Sequence, residues 1–255
     1  MTVVLVISAA VIGAIVGSFL NVVVYRLPRG ESLVRPGSHC PGCGGAVAAY
    51  DNVPLVSWAA LRGRCRTCRT RISGRYPAVE AATAALFVAA TIRFGLVAEL
   101  GAYLVLFGAL VAVAAVDLEH YIVPRKIIYV AAVLVAPFLV AEVVVGGDPR
   151  RLVDAAIAGA ASFAVLGLVY MIQPEGMGFG DVRLAGLDGA LLGFLGLGEA
   201  AVGLFLGVAA GALAGVVLVA LGRSRKTKLP FAPFLAAGTV AAVLVGPLLV
   251  KAWLG

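Results

Sequence analysis

The chain has 255 residues, of which 62% are hydrophobic and 13% are charged, and its formal net charge is +7. Soluble domains average about 45–50% apolar and about 25% charged residues, so this composition excludes an ordinary soluble protein. Because apolar runs occupy most of the chain, we expect an all-α protein that crosses a membrane several times.

About eight apolar runs approach the roughly 20 residues needed to cross about 30 Å of hydrocarbon. The first run is expected to be a retained span, because no small-residue cleavage site followed by a polar region marks it as a signal peptide. The sixth run is short and rich in glycine, which favours close packing against neighbouring helices. The predicted spans are residues 2–25, 78–95, 98–117, 126–146, 152–173, 182–197, 199–221 and 231–253.

The long polar segment lies between the first two spans. We therefore divide the chain into a first transmembrane helix at 1–25, a polar domain at 26–77 and a transmembrane domain at 78–255. If the polar domain is cytoplasmic and the spans alternate, sixteen Arg and Lys residues lie inside and four lie outside. This asymmetry follows the positive-inside rule. Contact with anionic membrane lipid accounts for the net charge, so nucleic-acid binding is not expected.

All four cysteines lie in the polar domain. They form two CxxC pairs separated by twenty-one residues, and they are Cys40, Cys43, Cys65 and Cys68. This spacing is typical of a zinc site, in which four thiolates close a tetrahedral shell around one ion. A closed shell leaves no position for a reactant, so the predicted zinc is structural. Free or disulfide-bonded thiols are the alternative, and a reducing cytosol disfavours the disulfides.

Two carboxylates are placed where apolar spans meet the same predicted face of the membrane. Asp117 ends the third span, and Asp181 begins the sixth directly after a run of alternating glycines. Carboxylates in or beside hydrocarbon are costly and often functional. Gly178 and Gly180 permit positive φ and close backbone approach, which suits a loop that admits an extended peptide, although a plain turn would use glycines too. Asp188 lies two turns beyond Asp181 and is either a buried polar partner or a helper to the site.

Several motifs besides these occur in a fixed order. The chain carries GSFLNVVVYRLP at 17–28, YDNVP at 50–54, ISGRYP at 72–77 with Glu80 after it, Asp117 with Pro124, GFGD at 178–181 and KLPFAPFL at 228–235. Together with the cysteine pairs, these blocks resemble the type IV prepilin peptidases, the membrane aspartic peptidases with a GxGD motif. The resemblance runs essentially end to end. Three positions depart from the family pattern, namely Arg125, Arg183 and Asp188.

The resemblance implies a specific function. Asp117 and Asp181 would be the catalytic pair of an endopeptidase that cleaves short, positively charged leaders from prepilins and pseudopilins at the cytoplasmic edge of the cell membrane. Many family members that have the cysteine-bearing loop also methylate the new N-terminus with S-adenosylmethionine. No cofactor fingerprint is readable, so methyl-donor residues are not assigned.

Two other classes of function remain open at this point. A proton-coupled transporter with a zinc-stabilised cytoplasmic domain would use Asp117 and Asp181 as relay groups, and inverted repeats of spans would favour it. A zinc-stabilised assembly scaffold would need no chemistry at all. Cleavage of a co-expressed prepilin-like substrate distinguishes the peptidase from both.

Overall fold

A computed structural model of the protein describes residues 3–174, 176–222 and 228–254. Its regular structure in these ranges is helical, apart from two isolated β-bridges, His39 with Ala46 and Arg64 with Arg71. The nine α-helices of the described ranges are α1 (Val3–Arg26), α2 (Val56–Ala60), α3 (Arg75–Phe94), α4 (Ala98–His120), α5 (Arg125–Val145), α6 (Arg150–Ile172), α7 (Phe179–Leu195), α8 (Leu197–Ala220) and α9 (Ala232–Leu254).

The prediction of an all-α, multi-pass membrane protein is confirmed. In the described part of the chain, seven helices are long and apolar enough to cross a membrane: α1, α3, α4, α5, α6, α8 and α9. The sixth predicted span corresponds to α7, which has only 17 residues. Of the predicted inner loops, residues 223–227 and Glu175 lie outside the described residues.

The chain divides into two compact units, Met1–Gly95 and Leu96–Gly255. In the first unit, α1 packs antiparallel against α3 through a face that carries glycine every fourth residue. A Cβ built on Gly13 would lie 2.7 Å from the Cα of Ala84, and one built on Gly17 would lie 2.7 Å from the Cα of Glu80. The two backbones therefore meet directly, as small residues allow between membrane helices. The three-part division at residues 25 and 77 stays a prediction.

The second unit is a bundle of α4 to α9. Helices α4 and α7 bury the largest shares of their residues, and α6 packs along α7 while α8 packs along α9. The Tyr103 hydroxyl in α4 donates a 2.9 Å hydrogen bond to the carbonyl of Leu191 near the end of α7. Arg151 at the beginning of α6 bonds to Glu99 and donates to the carbonyl of Phe194 at 3.0 Å. These bonds fix the ends of α4, α6 and α7 that lie away from Asp117 and Asp181.

Candidate active site and metal centre

Asp117 lies in the last turn of α4. The helix ends because Tyr121 adopts a left-handed conformation (φ 56°, ψ 38°), and its N–H donates a 2.9 Å hydrogen bond to the Asp117 carbonyl, a common way for a helix to stop. The side chain of Asp117 is 4% exposed. Its Oδ2 accepts a 3.0 Å hydrogen bond from the N–H of Ala232, the first residue of α9.

Asp181 lies in the first turn of α7. Its Oδ2 accepts a 3.1 Å hydrogen bond from the N–H of Gly178, the residue that caps the helix. Its own N–H donates in return to the Gly178 carbonyl at 3.0 Å. The side chain is 5% exposed, and among the described residues Oδ1 has no hydrogen-bond partner. A buried oxygen of this kind calls for an explanation, and a site that holds a reactant supplies one.

The structure brings Asp117 and Asp181 together. Their carboxylates are close enough for their charges to interact. Each carboxylate accepts a hydrogen bond from a backbone N–H at the beginning of a helix, α9 for Asp117 and α7 for Asp181. Within the described ranges, no basic side chain forms an ion pair with either carboxylate. Two neighbouring carboxylates without a cation are the arrangement that shares a single proton.

The two predicted loop glycines have different surroundings. A Cβ on Gly180 would lie 2.6 Å from the Cβ of Val123 and 2.9 Å from the Val123 carbonyl oxygen. A Cβ on Gly178 would meet nothing closer than the Asp181 Oδ2 at 3.4 Å. Neither glycine has a positive φ. Gly180 is therefore required for the close approach between α7 and the loop after α4. The other expected reason for a glycine, a positive φ, does not apply at either position.

The four cysteines form one cluster within the first unit. Their Sγ atoms all lie within 4.8 Å of one another, and Cys40 and Cys68 are 3.7 Å apart. Tetrahedral zinc with Zn–S bonds of about 2.3 Å places its sulfurs about 3.8 Å apart, so the cluster fits this ion. Hydrogen bonding to Thr70, whose hydroxyl lies 3.2 Å from Cys68 Sγ, lowers the pKa of Cys68 to about 6. A thiolate is the form that binds metal.

The two CxxC pairs share one backbone geometry. In each pair, the residue after the second cysteine donates its N–H to the carbonyl of the first cysteine, Gly44 to Cys40 at 2.8 Å and Arg69 to Cys65 at 3.1 Å. Both residues have a positive φ, 69° for Gly44 and 59° for Arg69. Two equivalent turns thus present two thiols each to a common centre.

Two contacts that were not predicted from the sequence connect the segment between the two CxxC motifs to its surroundings. Arg66 forms a two-bond ion pair with Asp51 at 2.6 and 2.7 Å, and this hydrogen bonding holds the pKa of Asp51 below its usual range. The buried carboxylate of Glu80 in α3 accepts a 2.7 Å hydrogen bond from the N–H of Leu55. The Asp51–Arg66 ion pair connects the segment between the two CxxC motifs to the second motif. The hydrogen bond to Glu80 connects the same segment to α3.

Comparison with known proteins matches most of the chain to two family models. Residues 11–94 match the bacterial peptidase A24 N-terminal domain, and residues 104–245 match the type IV leader peptidase family. The chain belongs to the type IV leader peptidase family. The first match lies within the unit Met1–Gly95, and the second lies within the unit Leu96–Gly255. The resemblance expected from the sequence is confirmed, and the transporter and scaffold alternatives are not favoured.

Curated relatives carry names that agree with this family. The chain is 44% identical over 190 residues to a prepilin leader peptidase/N-methyltransferase of Myxococcus xanthus, covering 71% of this chain and 54% of that relative. Relatives with the same name are 38% identical in Burkholderia pseudomallei, covering 93% of this chain and 84% of the relative, and 36% identical in Bacillus subtilis, covering 92% of each. No solved structure matches the chain.

Proposed function

We propose that this chain is a membrane aspartic endopeptidase that removes the leader peptide from type IV prepilins and pseudopilins, with Asp117 and Asp181 as its catalytic pair. One observation carries the proposal: two buried carboxylates interact where the end of α4 meets the beginnings of α7 and α9. The family membership and the names of the relatives support the substrate class.

The chemistry follows from a pair that holds one proton. The ionised carboxylate takes a proton from water as the water oxygen attacks the scissile carbonyl carbon, and the protonated carboxyl donates its proton to the carbonyl oxygen. In the collapse of the tetrahedral intermediate, the leaving nitrogen takes a proton from the carboxyl that was protonated by water, and one hydroxyl of the intermediate returns its proton to the other carboxylate. The amine is released and the pair again holds one proton. The two carboxylates titrate as a unit. Asp181 Oδ1, buried and without a partner among the described residues, is suited to accept the proton of the water.

The catalytic pair is proposed to lie at the cytoplasmic side of the cell membrane. The distribution of Arg and Lys in the sequence supports this orientation, because basic residues concentrate in cytoplasmic loops. A positively charged leader would remain in the cytoplasm while the apolar helix of the substrate lies in the bilayer. The proposed partners are therefore prepilin or pseudopilin chains and membrane lipid.

Zinc is proposed as a structural ion held by Cys40, Cys43, Cys65 and Cys68. When bound, it would order the polar segment without taking part in peptide cleavage. The names of the relatives include N-methyltransferase, and we extend that activity to this chain, with S-adenosylmethionine as the methyl donor. No residue is assigned to the methyl donor.

A co-expression experiment tests the proposal. The chain is produced together with a prepilin-like substrate in a bacterial host that has no prepilin peptidase, and the N-terminus of the substrate is determined by mass spectrometry. Removal of the leader and an added methyl group on the new N-terminus are the expected results. Recovery of only full-length substrate, with the chain properly inserted in the membrane, would refute the peptidase function.

A further inference from the structure

The carboxyl group of Asp188 is buried in the helix bundle and has no part in the proposed reaction. It lies on α7, seven residues beyond Asp181, and is 4% exposed. Its Oδ2 accepts a 2.9 Å hydrogen bond from the hydroxyl of Thr239 in α9, and in the described part of the chain its Oδ1 has no partner. A buried carboxyl is costly, so its presence at this position requires a reason.

The contacts of α9 provide that reason. Ala232 and Thr239 are seven residues apart on α9, as Asp181 and Asp188 are on α7. Seven residues span about two helical turns, or about 10.5 Å. The N–H of Ala232 binds Asp117, and the hydroxyl of Thr239 binds Asp188. Helix α9 therefore contacts one carboxylate of the proposed catalytic pair directly and is bonded to the helix that carries the other.

The hydrogen bonds to the carbonyls of Leu191 and Phe194 hold the end of α7 to α4 and α6, and they do not connect α7 to α9. On its α6 side, α7 presents Gly189 and Gly193, and Cβ atoms built there would lie 2.7 Å from the carbonyl oxygen of Ala158 and 2.6 Å from that of Asp154. The side chains of Ser162 and Ala158 in α6 fill the space that side chains at these glycines would occupy, so α7 packs closely against α6 on this side. A cavity of about 10 Å³ also remains beside Asp188, lined in part by Ser162 and Thr239. The directional hydrogen bond between Thr239 and Asp188 adds an axial restraint between α7 and α9.

We infer that Asp188 and Thr239 are positioning residues: their hydrogen bond sets the register of α7 along α9 and thereby the separation of Asp117 and Asp181. Asp188 touches neither substrate nor the reacting carboxylates, and it acts through the axial position of α7. This inference rests on the proposed peptidase function.

Steady-state kinetics on purified full-length protein in lipid nanodiscs, with a prepilin peptide as substrate, test the inference. Asp188→Leu and Thr239→Val each remove one partner of the bond, and we expect each to lower kcat roughly 10- to 100-fold with little change in KM, because small displacements of catalytic groups have effects of this size. Asp188→Asn and Thr239→Ser each keep an acceptor or a donor and should retain most of kcat. The double variant Asp188→Leu/Thr239→Val should be no slower than the slower single variant.

Thr91→Val is the matched control. Thr91 is buried, and its hydroxyl donates to Phe87 within its own helix at 2.8 Å, so its loss should leave kcat unchanged. Thermal unfolding of every variant gives the folded fraction, and kcat is expressed per folded molecule. Wild-type kcat in Asp188→Leu, additive losses in the double variant, or losses that vanish after this correction would each overturn the positioning role. Wild-type protein that cleaves no prepilin would instead overturn the proposed function.

Discussion

The backbone N–H of Ala232 donates a 3.0 Å hydrogen bond to the carboxylate of Asp117, although 115 residues separate the two in the chain. Ala232 begins α9, so three helix ends meet at the proposed catalytic pair: the end of α4 and the beginnings of α7 and α9. The beginning of a helix carries a partial positive charge and free N–H groups. Two helix beginnings thus stabilise negative charge in a site that, within the described ranges, lacks an ion pair.

The first prediction concerns the catalytic pair itself. Asp117→Asn and Asp181→Asn each preserve the shape of the side chain but remove its ability to exchange a proton. We expect each variant to lower the rate of leader cleavage by roughly 10²- to 10⁴-fold, which is the contribution of a general acid–base group. Cleavage of a co-expressed prepilin, followed by gel shift and mass spectrometry, measures the effect.

Asp148→Asn provides the control for these substitutions. Asp148 is exposed, and its carboxylate accepts a hydrogen bond from the N–H of Arg150 at the beginning of α6. The same change of charge there should leave cleavage at the wild-type rate. Normal processing by either catalytic variant would remove that aspartate from the mechanism.

The second prediction compares the two glycines before Asp181. Gly180→Ala places a methyl group 2.6 Å from the Cβ of Val123, so the beginning of α7 must move away from the loop after α4. We expect kcat to fall by roughly 10- to 100-fold, as a displacement of about 1 Å at a catalytic group produces. Gly178→Ala meets its nearest atom at 3.4 Å and should cost far less. Equal activity of the two variants would show that close approach at Gly180 is unimportant.

The third prediction concerns the metal. Protein purified under reducing conditions without a chelator should contain about one zinc ion per chain, as one four-cysteine site requires. Cys65→Ser should lower this content and increase hydrogen exchange of the amides in residues 38–73, because metal binding and folding of such a small segment are coupled. Thr67→Ser, between Cys65 and Cys68, is the matched control and should retain the metal. Metal-free wild-type protein with an ordered segment would contradict the assignment.

The fourth prediction is a pH dependence outside the membrane. The Arg66 guanidinium lowers the pKa of Asp51, so the folded carboxyl ionises more readily than the unfolded one. Stabilisation from this pair is therefore complete above the ordinary Asp pKa of about 3.9 and is lost as the pH falls through the lower, folded pKa. A carbon-13 NMR titration should show the pKa of Asp51 rising in Arg66→Ala and unchanged in Arg64→Ala. An unshifted Asp51 in Arg66→Ala would refute the contribution of the pair.

Much of the fold is predictable from the sequence because the bilayer imposes length and polarity on each span. The predicted span 98–117 falls within α4, and 152–173 overlaps nearly all of α6. The predicted span 182–197 begins three residues after α7 does, because the first turn of α7 contains the charged Asp181 and so lies outside the apolar run. Asp181 itself belongs to the first turn of α7.

The candidate site was predictable only in part. The sequence identifies Asp117 and Asp181 by their position at span ends, and it identifies the cysteines by spacing. It does not reveal that the N–H of Ala232 donates to Asp117. Almost every residue has a backbone N–H, so the residue type at position 232 does not identify this donor. Pro233, in the first turn of α9, was the available indication that a helix begins there. The contact between Gly180 and Val123 depends on the path of the loop after α4, and no local pattern encodes it.

Helix α7 has 17 residues and is therefore about 26 Å long, shorter than the roughly 30 Å of hydrocarbon in a typical bilayer. A short span is accommodated when the bilayer thins around it. Because Asp181 lies in the first turn of α7, such thinning would bring the aqueous boundary towards the carboxylates. Under the proposed peptidase function, water would then reach the buried pair from the thinned lipid surface without a long channel.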